Sequence, residues 1–419
     1  MNDSTFCPFP FESLALKSWL NGQIHKVYPC CNMKHDRPIT EVNKETDLQK
    51  VFDSQTFQNL RKDLMNGKKN SLCNYCWNLE KQTGQSPRTI ACESNNTTYK
   101  KTKKLKIKKL DILTDEACNL RCRMCTPSSS NSLRIDVNNL ISNDKPLVSN
   151  WPKHSVSYAK LDPKGTSAFF NMGQKYIDEI VQISDTLEEI KFTGGEPTIS
   201  STFWQIIDNI QNPNIKIHLT TNGTKFNQRL LKTLDKFTNK HFTISVDGTD
   251  STYEYIRHPF LWSKLTENIN RLISHNQNHN TEIHFCSVLT SYNILNIHYL
   301  VTYIEKLSTT CPNNIKWKCI PNPHPKDSVF DVKYLPTHIL KKALNYFEIL
   351  EQDCTKTSIH AVRKIKNYLQ YNIENPIDID TKTKKLTVLK QDIDLLDFSR
   401  KQSYKDFLHD DLIDIIEDI

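Results

Sequence analysis

Six short apolar runs punctuate the middle of the chain, near residues 105–113, 187–192, 214–220, 241–246, 280–288 and 315–320. Runs of that length, rich in Ile, Leu, Val and Phe and bounded by turn residues, predict strands. Between them the apolar positions fall into helical spacing, for instance over Phe203–Ile210, Asn227–Phe237, Leu265–Ser274 and Ile294–Leu307, which predicts amphipathic helices. Strands alternating with helices predict parallel βα units. The segment 126–173 breaks the rhythm: it is long and polar, with Ser128-Ser129-Ser130, Trp151-Pro152 and Asp162-Pro163-Lys164-Gly165. It reads as a first helix interrupted by an insertion, placed to help cap one mouth of the fold. Another helix is expected over about 337–351, after the proline-rich stretch Ile320–Pro325 and Tyr334-Leu335-Pro336.

Glycine is scarce, nine in 419 residues against an ordinary share of about 7%, so the position of each one informs. Four follow predicted strands, in Gly194-Gly195, Asn222-Gly223 and Asp247-Gly248. The length suits about two to three domains. No apolar run reaches the roughly 18 residues of a membrane span, and Met1-Asn2-Asp3-Ser4-Thr5 lacks the features of a signal peptide. A cytoplasmic protein without membrane association is expected. In that reducing compartment, clustered cysteines among the 13 present are expected to be metal ligands or catalytic groups, not disulfides. Net charge is +8, and the run Lys100–Lys109 holds much of the excess. It reads as a solvated linker ahead of a nucleic-acid surface.

Cys118, Cys122 and Cys125 are spaced CxxxCxxC directly after the first strand. A four-iron cubane takes four thiolates, so three closely spaced ligands leave one iron open. Zinc usually announces itself as paired CxxC or Cys/His blocks, and no such partner follows nearby. At the end of the next strand stands Phe192-Thr193-Gly194-Gly195-Glu196-Pro197. Its glycines allow close backbone approach to a ligand, and its carboxylate complements an ammonium group. A second constellation precedes the strands: Cys7-Pro8-Phe9-Pro10, Gly22, Cys30-Cys31, Phe52-Asp53-Ser54, Leu60-Arg61, Gly67 and Cys73-Asn74-Tyr75-Cys76-Trp77. The stretch Glu80–Arg88 after it reads as an exposed loop. Isolated Cys286 and Cys354 read as small buried side chains.

Together these residues resemble the radical SAM superfamily. The resemblance implies an α/β fold, a partial (β/α)6 TIM-like barrel, in which Cys118, Cys122 and Cys125 hold a 4Fe-4S cluster whose open iron binds S-adenosyl-L-methionine. Gly194, Gly195 and Glu196 would hold the cofactor's amino group, and Ser245 and Asp247 in Ile244–Gly248 would approach its ribose or carboxylate. Arg257 would grip the carboxylate, and Asn293, with Val288, would lie on the fifth strand; Thr221-Asn222-Gly223 is a further, weaker match. Met124 stands where relatives often carry an aromatic residue, and a thioether can pack on a purine.

The N-terminal cysteines resemble the SPASM or twitch module, which normally follows the barrel and here precedes it. That implies an auxiliary 4Fe-4S cluster on Cys7, Cys30, Cys73 and Cys76, with Cys31 the alternative to Cys30; a zinc ion on the same cysteines stays open. The implied domains are 1–98 (auxiliary module), 99–325 (barrel, with 126–173 partly an insertion) and 326–419 (a helical extension). His324, near the barrel mouth, reads as a turn histidine or a proton donor. The expected function is reductive cleavage of S-adenosylmethionine to a 5′-deoxyadenosyl radical that removes a substrate hydrogen. The reductant would be a flavodoxin or ferredoxin and the substrate a peptide or protein side chain. A nucleotide, nucleic acid or small metabolite is the alternative, and a non-catalytic iron-sulfur or zinc protein is the rival of another class.

Overall fold

The computed structural model describes residues 5–19, 24–33, 39–42, 47–94, 105–168, 172–276, 281–311, 315–321 and 328–419. Gly22, Lys100–Lys104 and His324 lie outside the described residues. The chain divides into two compact units: residues 1–115, 168–219 and 233–240 form the first, and 116–167, 220–232 and 241–419 the second.

In the first unit the strands are β1 (Ser13–Trp19), β2 (Ile24–Tyr28), β3 (Thr40–Val42), β4 (Lys109–Leu113), β5 (Glu189–Thr193) and β6 (Lys216–Thr221, its last two residues in the second unit). They lie in the order β3-β2-β1-β4-β5-β6. The first three run antiparallel; β1 is parallel to β4, β4 to β5 and β5 to β6. Along β4, β5 and β6 alternate residues are buried. Leu110, Ile112, Ile190, Phe192, Ile217 and Leu219 form the buried face, where apolar area removed from water stabilises by about 25 cal/mol per Å². The opposite face carries charges paired across strands: Lys191 lies 3.5 Å from Asp111, and His218 lies 3.4 Å from Glu189. One face of these parallel strands is thus polar, unlike a strand covered by helices on both sides.

In the second unit β7 (Lys240–Ser245, of which Lys240 belongs to the first unit), β8 (Thr281–Val288) and β9 (Ile315–Ile320) are neighbours in that order, and β8 pairs parallel with β9. Helices Asp250–Ile256, Trp262–His275 and Ile297–Ser308 connect or flank them, and four more follow: Thr337–Asp353, Ile359–Glu374, Ile379–Arg400 and Asp410–Glu417. The segment after the cysteine triplet forms helices Leu133–Ser142 and Lys153–Leu161. Leu133, Val137 and Leu140 of the first, Trp151 and Ala159 share one apolar cluster with Leu396. Among the described residues no helix is long and apolar enough to cross a membrane.

Several expectations need correction. The first predicted strand begins only at Lys109; the Lys108 amide is taken by the Glu12 carbonyl at 2.8 Å. Glu80–Arg88 is not an exposed loop. Asn74–Thr83 is a helix ended by Gly84 in a left-handed conformation, Pro87 starts another helix, and the polar residues Ser86 and Arg88 are buried. Their polarity hid them, because polar side chains go inside when paired, and Glu80 pairs with both.

Candidate functional site

The cysteine triplet lies in the second unit on an irregular loop with Cys118, Leu120 and Cys122 buried together and Cys125 and Phe260 packed against them. None of the thirteen cysteines is in a disulfide. The Cys118 amide donates to Asn131 Oδ1 at 2.9 Å, and Ser132 donates to the Cys118 carbonyl at 2.5 Å. Trp151 Nε1 donates to the Cys125 carbonyl. A hydrogen bond from Cys125 holds the Cys122 thiol down at about 7 against the opposing effect of burial, and the Arg257 guanidinium adds to the lowering. Arg257 Nη1 lies 3.9 Å from Cys122 Sγ. A buried thiol poised toward its anion beside a guanidinium suits a metal ligand, since the thiolate is the ligating form.

Asp247, Arg257 and Asn293 gather below this loop within the same unit. Arg257 donates through Nε and Nη2 to Asp247 Oδ2 at 2.8 and 2.7 Å, and Asp247 Oδ1 accepts the Val288 amide. The fork expected on a cofactor carboxylate is thus engaged with Asp247. Asn293 donates to the Asp247 and Val288 carbonyls and accepts from Thr290 N and Oγ1, so its side chain is a brace between the loops after β7 and β8. Ser245 and Met124 are half-buried. The weaker match at Thr221–Gly223 lands beside the triplet. Asn222 Nδ2 approaches Cys118 Sγ at 3.8 Å and donates to Asn119 Oδ1 at 3.0 Å, while Asn119 donates to Thr224.

Two arginines inside the triplet anchor its loop, and sequence reading missed both. Arg121 pairs with Asp136, which also accepts from Ser399 and Arg400. Arg123 pairs with Asp397, lies 3.4 Å from the centre of the Tyr255 ring and donates to the Tyr255 carbonyl. Asp397 also accepts from Tyr255 Oη and the Tyr404 amide. The long helix Ile379–Arg400, which carries no motif, therefore supplies partners to the loop: Asp397 for Arg123, and Arg400 for the Asp136 that binds Arg121.

In the first unit, Gly194, Gly195 and Glu196 turn sharply after β5. Gly194 has φ +139°, and a Cβ there would meet the Asp115 carbonyl at 2.7 Å and Thr114 Oγ1 at 2.8 Å, so only glycine fits. The Gly195 amide donates to the Asp115 carbonyl at 2.8 Å. Glu196 is fully buried and its Oε1 accepts from the amide and hydroxyl of Thr198. Asp115, unremarked in the sequence, accepts from Ser200 Oγ at 2.5 Å.

The N-terminal cysteines also converge in the first unit. Burial pushes the Cys7, Cys30, Cys73 and Cys76 thiols up, Cys73 to about 12, and mutual repulsion adds to it for Cys7, Cys30 and Cys73. Cys31 differs. Burial pushes it up to about 11, after which Asp111 and Lys191 are its main neighbours, which places it beside the polar face of the sheet, whereas Cys30 is raised by burial and then by Cys31, Cys76 and Cys73. Arg61 ties the module by donating to the Pro10 and Phe52 carbonyls. Arg88 binds Glu80 through two nitrogens, donates to the Phe6 carbonyl and covers Trp77 at 4.7 Å. Buried thiols that repel one another are relieved when a cation binds them as thiolates. Tetrahedral zinc at about 2.3 Å from sulfur would hold its thiolates roughly 3.8 Å apart. Among the described residues the three-residue ligand set that closes within 4.8 Å is His241, Glu282 and His284, and neither cysteine set does.

Residues 112–298 match the family model of the Radical SAM superfamily. Solved structures similar to the chain include native anSMEcpe with bound AdoMet, at 19% identity over 59% of this chain and 61% of that one, with a TM-score of 0.38. Streptococcus suis SuiB bound to S-adenosylmethionine is similar at 13% identity over 81% and 69%, TM-score 0.38. The methyltransferase TsrM from Kitasatospora setae, with tryptophan substrate and a SAM analog bound, is similar at 11% identity over 51% and 35%, TM-score 0.32. The chain spans about 60% of the length of the first of these. No curated protein matches it.

Proposed function

We propose that the protein is a radical S-adenosylmethionine enzyme that forms a 5′-deoxyadenosyl radical and removes a hydrogen atom from a peptide or protein side chain. The observation that carries this reading is the buried loop bearing Cys118, Cys122 and Cys125 inside a segment that matches the family. When bound, the cluster supplies one electron to the sulfonium of S-adenosylmethionine. The chain's own residues do the rest. The three cysteines hold the iron, and Gly194 leaves room where any Cβ would clash. Glu196 presents a buried carboxylate to the amino group, and Ser245 and Met124 are offered to ribose and adenine. Arg257, locked by Asp247, keeps a positive charge beside Cys122, and Asn293 braces the loop that carries Asp247.

Cys7, Cys30, Cys73 and Cys76 hold an auxiliary cluster in this reading, since four thiolates are enough to close a cubane; a zinc ion on the same thiolates is the alternative. The peptide substrate rests on the likeness of residues 7–77 to SPASM and twitch modules. A nucleotide, nucleic acid or other anionic metabolite is the second reading, favoured by the basic run Lys100–Lys109. A flavodoxin or ferredoxin of the cytoplasm would deliver the electron.

The test is direct. Protein loaded anaerobically with iron and sulfide, given dithionite and S-adenosylmethionine, is expected to release 5′-deoxyadenosine, and Cys122→Ala to abolish it. No product from cluster-loaded protein, or undiminished product from the variant, overturns the reading and leaves a non-catalytic iron-sulfur protein.

A further inference from the structure

Two neighbouring strands of the second unit bring together three metal-ligand side chains that belong to none of the cysteine motifs. His241 is the second residue of β7, and Glu282 and His284 are the second and fourth of β8. Alternate residues share a face, so His241, Thr243 and Ser245 line one side of β7 while Phe242 and Ile244 are buried on the other. His241 and Ser245 are four residues apart, about 13 Å at ~3.3 Å per residue. The trio thus sits at the amino ends of the strands, away from Asp247.

The geometry is that of a ligand set. One donor atom from each of the three lies within 4.8 Å of the other two. The two imidazoles meet edge to face with centroids 4.1 Å apart; both are buried. His241 Nδ1 is 3.3 Å from Glu282 Oε2, and its Nε2 is 3.4 Å from Thr243 Oγ1. His241 Nδ1 thus faces the Glu282 carboxylate, and a cation taking the place of the proton between them would gain both as ligands. Fixing a ligating imidazole through its other nitrogen is how metal sites orient histidine. The Glu282 side chain is 47% exposed, so it can swing to close the remaining gap and leaves a path for the ion. Two imidazoles and one carboxylate with an open fourth position are a common zinc set, and related first-row divalent ions accept it too.

We propose that His241, Glu282 and His284 bind a divalent cation, zinc foremost, tying β7 to β8 at their amino ends. The measurement uses whole protein loaded with iron and sulfide, so that the cluster cysteines are occupied, then treated with zinc sulfate and desalted. Elemental analysis is expected to find about one zinc per chain, and X-ray absorption a shell of nitrogen and oxygen at about 2.0–2.1 Å. Glu282→Gln, at a half-exposed position, and His284→Ala are each expected to lower retained zinc at least tenfold with iron content unchanged. No retained zinc, a sulfur shell, or equal zinc in the Glu282→Gln protein overturns the proposal. If His284→Ala fails to fold, the Glu282→Gln result alone decides it.

Discussion

The Asp247 carboxylate is fully buried, and its partners are Arg257 through two nitrogens and the Val288 amide. Removing one member of a buried ion pair leaves the other without compensation, which typically costs about 3–5 kcal/mol. Arg257→Met is therefore expected to destabilise the metal-free protein by that amount in denaturant titrations. The double variant Asp247→Asn, Arg257→Met should cost clearly less than the sum of the two single changes, because contacting residues are not additive. Additive costs would show that the two side chains do not support each other. At this scale the sequence singled out Arg257 and Asp247 but not their partnership with each other. Arg257 and Asp247 were legible from their positions after a strand, but their mutual engagement depends on side-chain direction at 10 residues' separation. The same limit left Cys30 and Cys31 unresolved, since adjacent residues differ only in the face they point to.

The strands from residue 187 onward were legible because short apolar runs mark all five and glycines follow the first three. The region of helix Ile379–Arg400 was legible only as part of a helical extension, and not as part of the site. Its Asp397 reaches Arg123 across 274 residues of sequence, and nothing local in either segment signals a pairing of that range. The arrangement makes the helix a clamp on the cysteine loop: Asp397 holds Arg123, Tyr255 and the Tyr404 amide, and Arg400 holds the Asp136 that also binds Arg121. Arg123 is buried among these groups, so an aspartate lost from the helix loosens the loop without touching a cysteine. Asp397→Asn is expected to cost about 3 kcal/mol of stability. Iron bound to the triplet should also pass to a chelator several-fold faster than from the parent protein, with the same iron content at the start. An unchanged chelation rate would mean the loop holds its shape without the helix.

The two cysteine sets belong to different compact units, the triplet to the second and Cys7, Cys30, Cys73 and Cys76 to the first. Each set is closed by contacts inside its own unit: Asn131, Trp151 and Asn222 around the triplet, Arg61 and Arg88 around the other. Loss of one cluster should therefore leave the other in place. With two cubanes the loaded protein carries about eight irons per chain. Cys73→Ser with Cys76→Ser is expected to drop it to about four while the remaining cluster still responds to S-adenosylmethionine in its electron paramagnetic resonance spectrum. Cys30→Ser should also lose auxiliary iron, whereas Cys31→Ser should keep about eight, because Cys31 faces Asp111 and Lys191 on the polar side of the sheet. If Cys31→Ser loses iron and Cys30→Ser keeps it, the ligand is the other cysteine. If the Cys73, Cys76 variant loses all its iron, the units do not hold their clusters independently.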